Sequence, residues 1–239
     1  MDLRWKLKQG LRHFGYDLIE FTLVTSAVTR RQRLFEHYGI DLVLDVGANV
    51  GQYGLSLRRN GYRGRIVSFE PLAAAFQELQ REAERDHNWE TVNLALGQQD
   101  GMAELNIASN SVSSSLLDLL PLHQTVLPQA AFIGKESVRL NRLDTIYSSY
   151  VRPHDRVFLK LDVQGMERMV LAGVDESLAQ IGGIQIEMSL VPLYRDSADF
   201  SEMIALLKTY GFQLMSMEPV LVNPLSGQVL EFDGIFFRE

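Results

Sequence analysis

A chain of 239 residues with no cysteine, 46% hydrophobic and 22% charged residues has the balance of an ordinary globular protein. These figures exclude a disordered chain, a collagen, a disulfide scaffold and any thiolate or cysteine-ligated metal chemistry. No apolar run reaches the ~18 residues of a membrane span and the first ten residues lack a secretory pattern, so a cytoplasmic protein of one large or two small domains is expected. The net charge of −7 is unevenly placed: residues 1–40 hold seven Lys/Arg and four Asp/Glu, a net of +3, which leaves −10 on the remainder. An acidic body is a poor partner for a phosphate backbone.

Residues 3–37 read as helix, because Leu3, Leu7, Leu11, Phe14 and Leu18 recur at spacings of three and four. The Thr- and Val-rich stretch 21–28 breaks or restarts it. This basic start is either a solvated helix packed on the domain or a contact for an anionic membrane or an acidic carrier protein. From residue 41 the pattern changes to short apolar runs rich in β-branched residues: 41–46, 65–69, 91–95, 157–161 and 183–187. Helical stretches at 51–60, 72–86, 165–172 and 199–210 lie between them, which predicts βαβ units and a parallel sheet covered on both faces. Two last strands, 212–217 and 232–238, are joined by a turn-rich stretch with no helix, an antiparallel pair at one edge. Residues 98–153 depart from the alternation. They hold two short strands, 102–107 and 137–140, around a long loop, and a loop of that size is expected to be a lid or binding insert.

The most informative stretch is Asp45-Val46-Gly47-Ala48-Asn49-Val50-Gly51, which follows one predicted strand and opens a helix. Gly47 lets the backbone approach a ligand, and the helix start offers free N–H groups with partial positive charge. The pattern is not the dinucleotide G-x-G-x-x-G, because Asn49 stands where the second glycine would admit a pyrophosphate. Asp45 adds a negative charge suited to an ammonium group beside a carboxylate, the methionine end of S-adenosylmethionine (SAM). Glu70, at the end of the next strand, is placed to accept ribose hydroxyls or to cap the following helix. Leu96 lies where the adenine ring is expected, and the serine cluster with Ser114 either closes over the cofactor or forms a flexible tip.

These segments resemble the FkbM family of SAM-dependent methyltransferases. The resemblance runs through the glycine turn, then Phe69-Glu70-Pro71, Asn93-Leu94-Ala95-Leu96-Gly97 and Leu143-Asp144. It continues through 158–167 with Val170-Leu171 and Gly173, which match the family's Lys-(Ile/Leu)-Asp-Val-Glu-Gly-x-Glu…Val-Leu-x-Gly signature, and through Ile186-Glu187 and 233–237. Gln164 stands where the family usually has Glu, and residues 1–37 match nothing in the family. The resemblance implies a class I methyltransferase fold, an α/β Rossmann-like sheet in the order 3-2-1-4-5-7-6 with the last strand antiparallel. The domain would span 40–239, preceded by a helical extension over 1–39. It also implies SAM as cofactor and O-methylation of a small-molecule or sugar hydroxyl in a natural product, glycolipid or polysaccharide. A nucleic-acid or protein methyltransferase and a non-catalytic SAM-binding module are the alternatives; a nucleotide-dependent oxidoreductase is discouraged by Asn49.

Methyl transfer from a sulfonium requires alignment of three atoms and a group to accept a proton. Ligands bind outside the carboxyl ends of parallel strands. That makes Asp162 and Glu187 the candidate catalytic acids, as a base or as a pair binding hydroxyls or a divalent metal. His123, in the insert, is the histidine candidate; His37, His87 and His154 precede strands on the opposite edge, and His13 sits in the first helix. Lys160 shares a face with Asp162 and needs a partner or an opening. The cofactor-binding candidates are Asp45, Gly47, Asn49, Gly51, Glu70, Leu96 and Ser114. No metal site and no nucleic-acid partner are assigned, and self-association is left open.

Overall fold

The computed structural model describes residues 3–238. Helix α1 is Leu3–His13 and α2 is Ala27–Tyr38. The helical stretch 3–37 is thus two helices separated by residues 14–26, an interruption that begins before the expected break at 21–28. Gly15, at φ +81°, ends the first, and Ser26 caps the second by accepting from the Thr29 N–H.

Strand β1 (Leu42–Val46) is followed by α3 (Gln52–Arg59), β2 (Arg65–Phe69), α4 (Ala73–Ala83) and β3 (Trp89–Val92). The expected strand 91–95 is split. β3 ends at Val92, and Ala95–Leu96 forms a separate short strand, β4, which pairs with β6 rather than with the main sheet. Strands β5 (Gly101–Ala108) and β6 (Phe132–Asn141) pair antiparallel; α5 (Pro121–Val126) lies in the loop between them, and α6 (Leu143–Tyr150) leads to β7 (Val157–Leu161). Helix α7 (Glu167–Ala172), β8 (Ile181–Ser189), α8 (Phe200–Thr209), β9 (Gln213–Val222) and β10 (Val229–Phe237) complete the chain. Helices α5 and α6 were not apparent in the sequence, being short and lying in a stretch dominated by loop residues.

The main sheet runs β3-β2-β1-β7-β8-β10-β9, with β10 antiparallel to β8 and β9. This is the expected order. Its central strands are apolar on both faces because helices cover both. Leu42, Leu44 and Val46 join Leu159, Leu161, Ile184 and Ile186 on one face, beneath α6, α7 and α8. Val43 and Phe158 turn to the other face, against Phe35 of α2, Leu57 of α3 and Leu79 of α4. Alternation therefore sends Asp45 and Lys160 to the α2–α3 face. The register places Ser68, Asp45, Lys160 and Gln185 side by side across four strands. The second, three-stranded sheet, β4-β6-β5, packs Ala95, Leu105, Val138 and Leu140 on Leu72 and Ala75.

Candidate active site

Between the carboxyl ends of the strands and the 109–116 loop lies a cavity of about 410 Å³. Its walls divide in two. One half is apolar, with Leu72, Leu94, Leu96, Leu105, Val112 and Leu116. The other is polar, with Gln52, Tyr53, Ser56, Lys160, Asp162, Gln164, Gln185 and Asp233. Gly47, Asn49 and Glu70 line the junction.

The glycine turn is shaped by close approach rather than by freedom alone. A Cβ on Gly47, which sits at φ +75°, would stand 1.9 Å from the Asp162 backbone oxygen. Asn49 adopts φ +47°, donates its N–H to Glu70 Oε2 at 2.8 Å, and bonds Ser111 through its amide at 3.1 Å. Glu70 Oε1 accepts the Leu72 N–H at 2.8 Å, just before α4, so this carboxylate holds the helix start while also facing the cavity. Burial lifts its pKa to about 7, against the pull of the Leu72 and Asn49 N–H donors and Lys160.

Asp45 does not face the cavity. It is fully buried on the α2–α3 face, where Ser68 donates to it at 3.0 Å and the Lys160 ammonium lies 3.3 Å away. The alternation of β1 turns it inward, which corrects its expected contact with a ligand ammonium. Gly51 does not line the cavity either. As the N-cap of α3 it packs against Leu79 and Trp89. His123 is a further correction: it is buried on α5 and meets the Tyr194 ring edge-on, and it is not among the residues lining the cavity. Burial lowers its pKa, so it packs as a neutral ring. Leu96 and Ser114 do line the cavity, and Ser114 accepts the Ala108 N–H, which holds its loop in place.

Lys160 has the partners a buried lysine needs. Its ammonium lies 3.3 Å from Asp45 and 3.4 Å from Asp162, and donates to the Gly47 carbonyl at 3.2 Å. Burial works against its charge, but Asp162 and Asp45 outweigh that and raise its pKa. Asp162 also accepts the Gln164 amide at 2.7 Å, and the same nitrogen donates to Glu187 Oε2 at 2.7 Å. Gln164 therefore bridges the two acids singled out in the sequence. Glu187 is buried behind it and does not reach the cavity wall; burial, then Asp162 and Glu231, push its pKa well up. The Gln164 carbonyl oxygen accepts the Tyr194 hydroxyl at 2.7 Å, and its backbone oxygen accepts Ser115 at 2.6 Å.

Sequence reasoning missed Asp233, Gln185 and Tyr53. Asp233 Oδ2 accepts the Gln185 amide at 2.9 Å, and Gln185 accepts the Tyr53 hydroxyl at 2.9 Å. Burial and Asp162 raise Asp233 to about 6. An acid inside the apolar run Phe232–Phe237 was the available signal, the same one that selected Asp162. Because β10 runs antiparallel, its early residues, not its last, lie beside the carboxyl ends of the parallel strands, with Asp233 opposite Glu187. Among the described residues, four non-glycine residues have positive φ, and three of them, Asn49, Ser111 and Gln164, line this cavity. Backbone strain concentrated in this way is characteristic of functional sites.

The strand order, with a cavity at the carboxyl ends of β1, β2 and β7, is that of the class I methyltransferase fold. The Methyltransferase FkbM domain matches residues 45–214, and the chain belongs to that family. The apolar slot suits adenine, the Glu70 carboxylate a ribose, and the polar junction a methionine end, so the residues present fit SAM, the family's cofactor. Similar proteins include Methyltransferase 1 of Beauveria bassiana, 25% identical over 76% of each chain. Methyltransferase sdnD of Sordaria araneosa is 27% identical over 72% of this chain and 73% of its own. Solved structures with a similar fold include TehB from Haemophilus influenzae, with a TM-score of 0.47 at 12% identity, covering 90% of this chain and 63% of that one. Aeropyrum pernix fibrillarin, in complex with SAM, has a TM-score of 0.46 at 10% identity, covering 82% and 66%. Likenesses this distant say nothing of substrate. The chain is a SAM-dependent methyltransferase.

Proposed function

We propose that the enzyme methylates a hydroxyl oxygen of a small molecule or sugar. The observation that carries this is the polar half of the cavity. It offers amide, hydroxyl and carboxylate groups to an acceptor rich in hydroxyls, and two carboxylates to receive a proton. SAM supplies an already activated methyl group. The protein's part is to orient the acceptor and remove its proton. Asp162 has one oxygen on Gln164 and the other beside Lys160, so it is better suited to holding a ligand group than to taking a proton. Asp233 is bonded through Oδ2 alone among the described residues and, at about 6, is largely ionised at neutral pH. Asp233 is thus the better base, and Asp162 the orienting acid. The acidic body and these carboxylates speak against a nucleic-acid acceptor.

Incubation with methyl-labelled SAM and fractionated cell extract should place the label on an oxygen of a small-molecule fraction, read by carbon NMR. Label recovered on nitrogen, RNA or protein would overturn the proposal. With that acceptor in hand, Asp233→Asn should slow transfer by roughly 10²-fold or more while S-adenosylhomocysteine (SAH) affinity holds. A collapse confined to Asp162→Asn would move the base to Asp162.

Glu70 is proposed as the ribose acceptor. Its raised pKa means that it gains a proton as pH falls through about 7, which removes one acceptor site. SAH affinity should therefore decline from pH 8 to pH 6 in calorimetry, and Glu70→Gln should flatten that dependence. Glu70→Ala should cost ~1.5–3 kcal/mol of SAH binding at pH 8. Unchanged affinity in the alanine variant would rule out the ribose contact.

A further inference from the structure

We infer that residues 3–24 are an interfacial anchor for a membrane surface bearing anionic lipid. Helix α1 carries four cations, Arg4, Lys6, Lys8 and Arg12, and no acid. Asp17 beyond it pairs with Lys8 and Arg12, and with Glu20 it sets two acids against the four cations, which leaves residues 3–24 at a net of +2. Leu7 and Leu11 share one face of α1, at the spacing of an amphipathic helix, and Phe14 follows in the turn after it. Leu7 is 55% exposed and Phe14 76%, and the exposure continues past the helix at Tyr16, Ile19, Phe21 and Val24. None of the four apolar clusters of the described residues includes a side chain before Leu34. The body does not cover these side chains, although its charge is opposite to that of α1.

The chemistry of the occupant follows from the backbone. Residues 18–24 are not helical, so adjacent apolar side chains such as Leu18 and Ile19 leave the chain on different sides, and both are exposed. A protein groove takes one side of such a segment, whereas a fluid apolar phase takes both. Trp5, Tyr16 and the lysines are the residue types that settle at a headgroup layer. The far end of the segment is fixed to the body: Arg30 of α2 donates to the Leu23 and Val24 carbonyls and to Ser216 of β9, and is ion-paired with Glu218. Among the described residues no helix is long and apolar enough to cross a membrane, so the segment would lie on the surface rather than span it.

Flotation of the full chain with phosphatidylcholine vesicles, with and without about 30% phosphatidylglycerol, tests this. Binding is expected with the anionic vesicles, weakened by high salt. A blue shift of Trp5 emission should accompany it, since the other tryptophan, Trp89, is already buried. The paired substitutions Phe14→Glu with Phe21→Glu, and Lys6→Glu with Lys8→Glu, should each lower partitioning by roughly tenfold or more. These are surface positions, and unchanged SAH affinity in the variants separates this result from the methyltransferase assignment. Full-chain protein that stays with the lipid-free fraction even with the anionic vesicles would overturn the inference. So would a dimer, by light scattering, that Phe14→Glu with Phe21→Glu makes monomeric, because that would assign the surface to a second copy.

Discussion

Gln164→Glu is expected to lower the melting temperature at pH 8 by about 10 °C. The wild-type amide nitrogen donates to Asp162 and to Glu187, both at 2.7 Å, while its oxygen accepts from Tyr194. A carboxylate there has no proton to give and adds like charge between two acids, one of them buried. Position 164 is half-buried at the cavity wall, so the cost falls at or below the ~3–5 kcal/mol of a fully buried uncompensated charge, and a domain of this length loses roughly 2–4 °C per kcal/mol. The introduced carboxyl should have a raised pKa, so the penalty is present at high pH and fades as the pH falls and the group protonates. A divalent cation should restore part of the loss at pH 8, because three carboxylates can share a cation as the amide now joins two. Thermal scans at pH 8 and pH 6, with and without magnesium, check all three effects. A melting temperature equal to wild type at pH 8 would show that the bridge contributes nothing. The family's usual Glu at this position thus implies a different balance of charge from the one this chain has built with an amide.

Gly47→Ala should be at least as damaging. The new Cβ would meet the Asp162 backbone oxygen at 1.9 Å and would sit on a residue with φ +75°, so both packing and backbone oppose it. The obstacle is a carbonyl in the β1–β7 pairing region, which no rotamer change can remove. A loss of ~4 kcal/mol or more is expected, together with the loss of SAH binding in calorimetry. Gly134→Ala is the control, since its nearest neighbour would be the Ile107 side chain at 3.8 Å, and it should be close to neutral. Retention of SAH binding at wild-type affinity in Gly47→Ala would show that the turn can relax without cost.

The central sheet was legible because its strands are buried on both faces and therefore read as unbroken apolar runs between helices. Thr91–Ala95 was less so: apolar periodicity does not reveal that the chain leaves one sheet after Val92 and joins another at Ala95. At the site, glycine spacing located the turn, and an acid ending an apolar run located Asp162. Direction was the missing information. Asp45 is one residue from the end of its strand, and alternation alone buries it with Lys160 instead of exposing it to a ligand. Asp233 lies on a strand whose reversal brings its acid to the cavity. Gln164 looked like a lost charge, and only its contacts show it acting as a shared donor.

Two of the bonds that hold the loop roofing the cavity reach to opposite sides of it. Ser111 bonds Asn49 in the glycine turn, and Ser115 bonds the backbone of Gln164 beside the acids. One short segment thus rests on both the nucleoside side and the acceptor side. A ligand that shifts either attachment alters the setting of the other, and by thermodynamic linkage the coupling runs equally in both directions. Any ligand group that displaced one of these attachments and moved the other with it would, by that linkage, tie the glycine turn to the acids across the cavity.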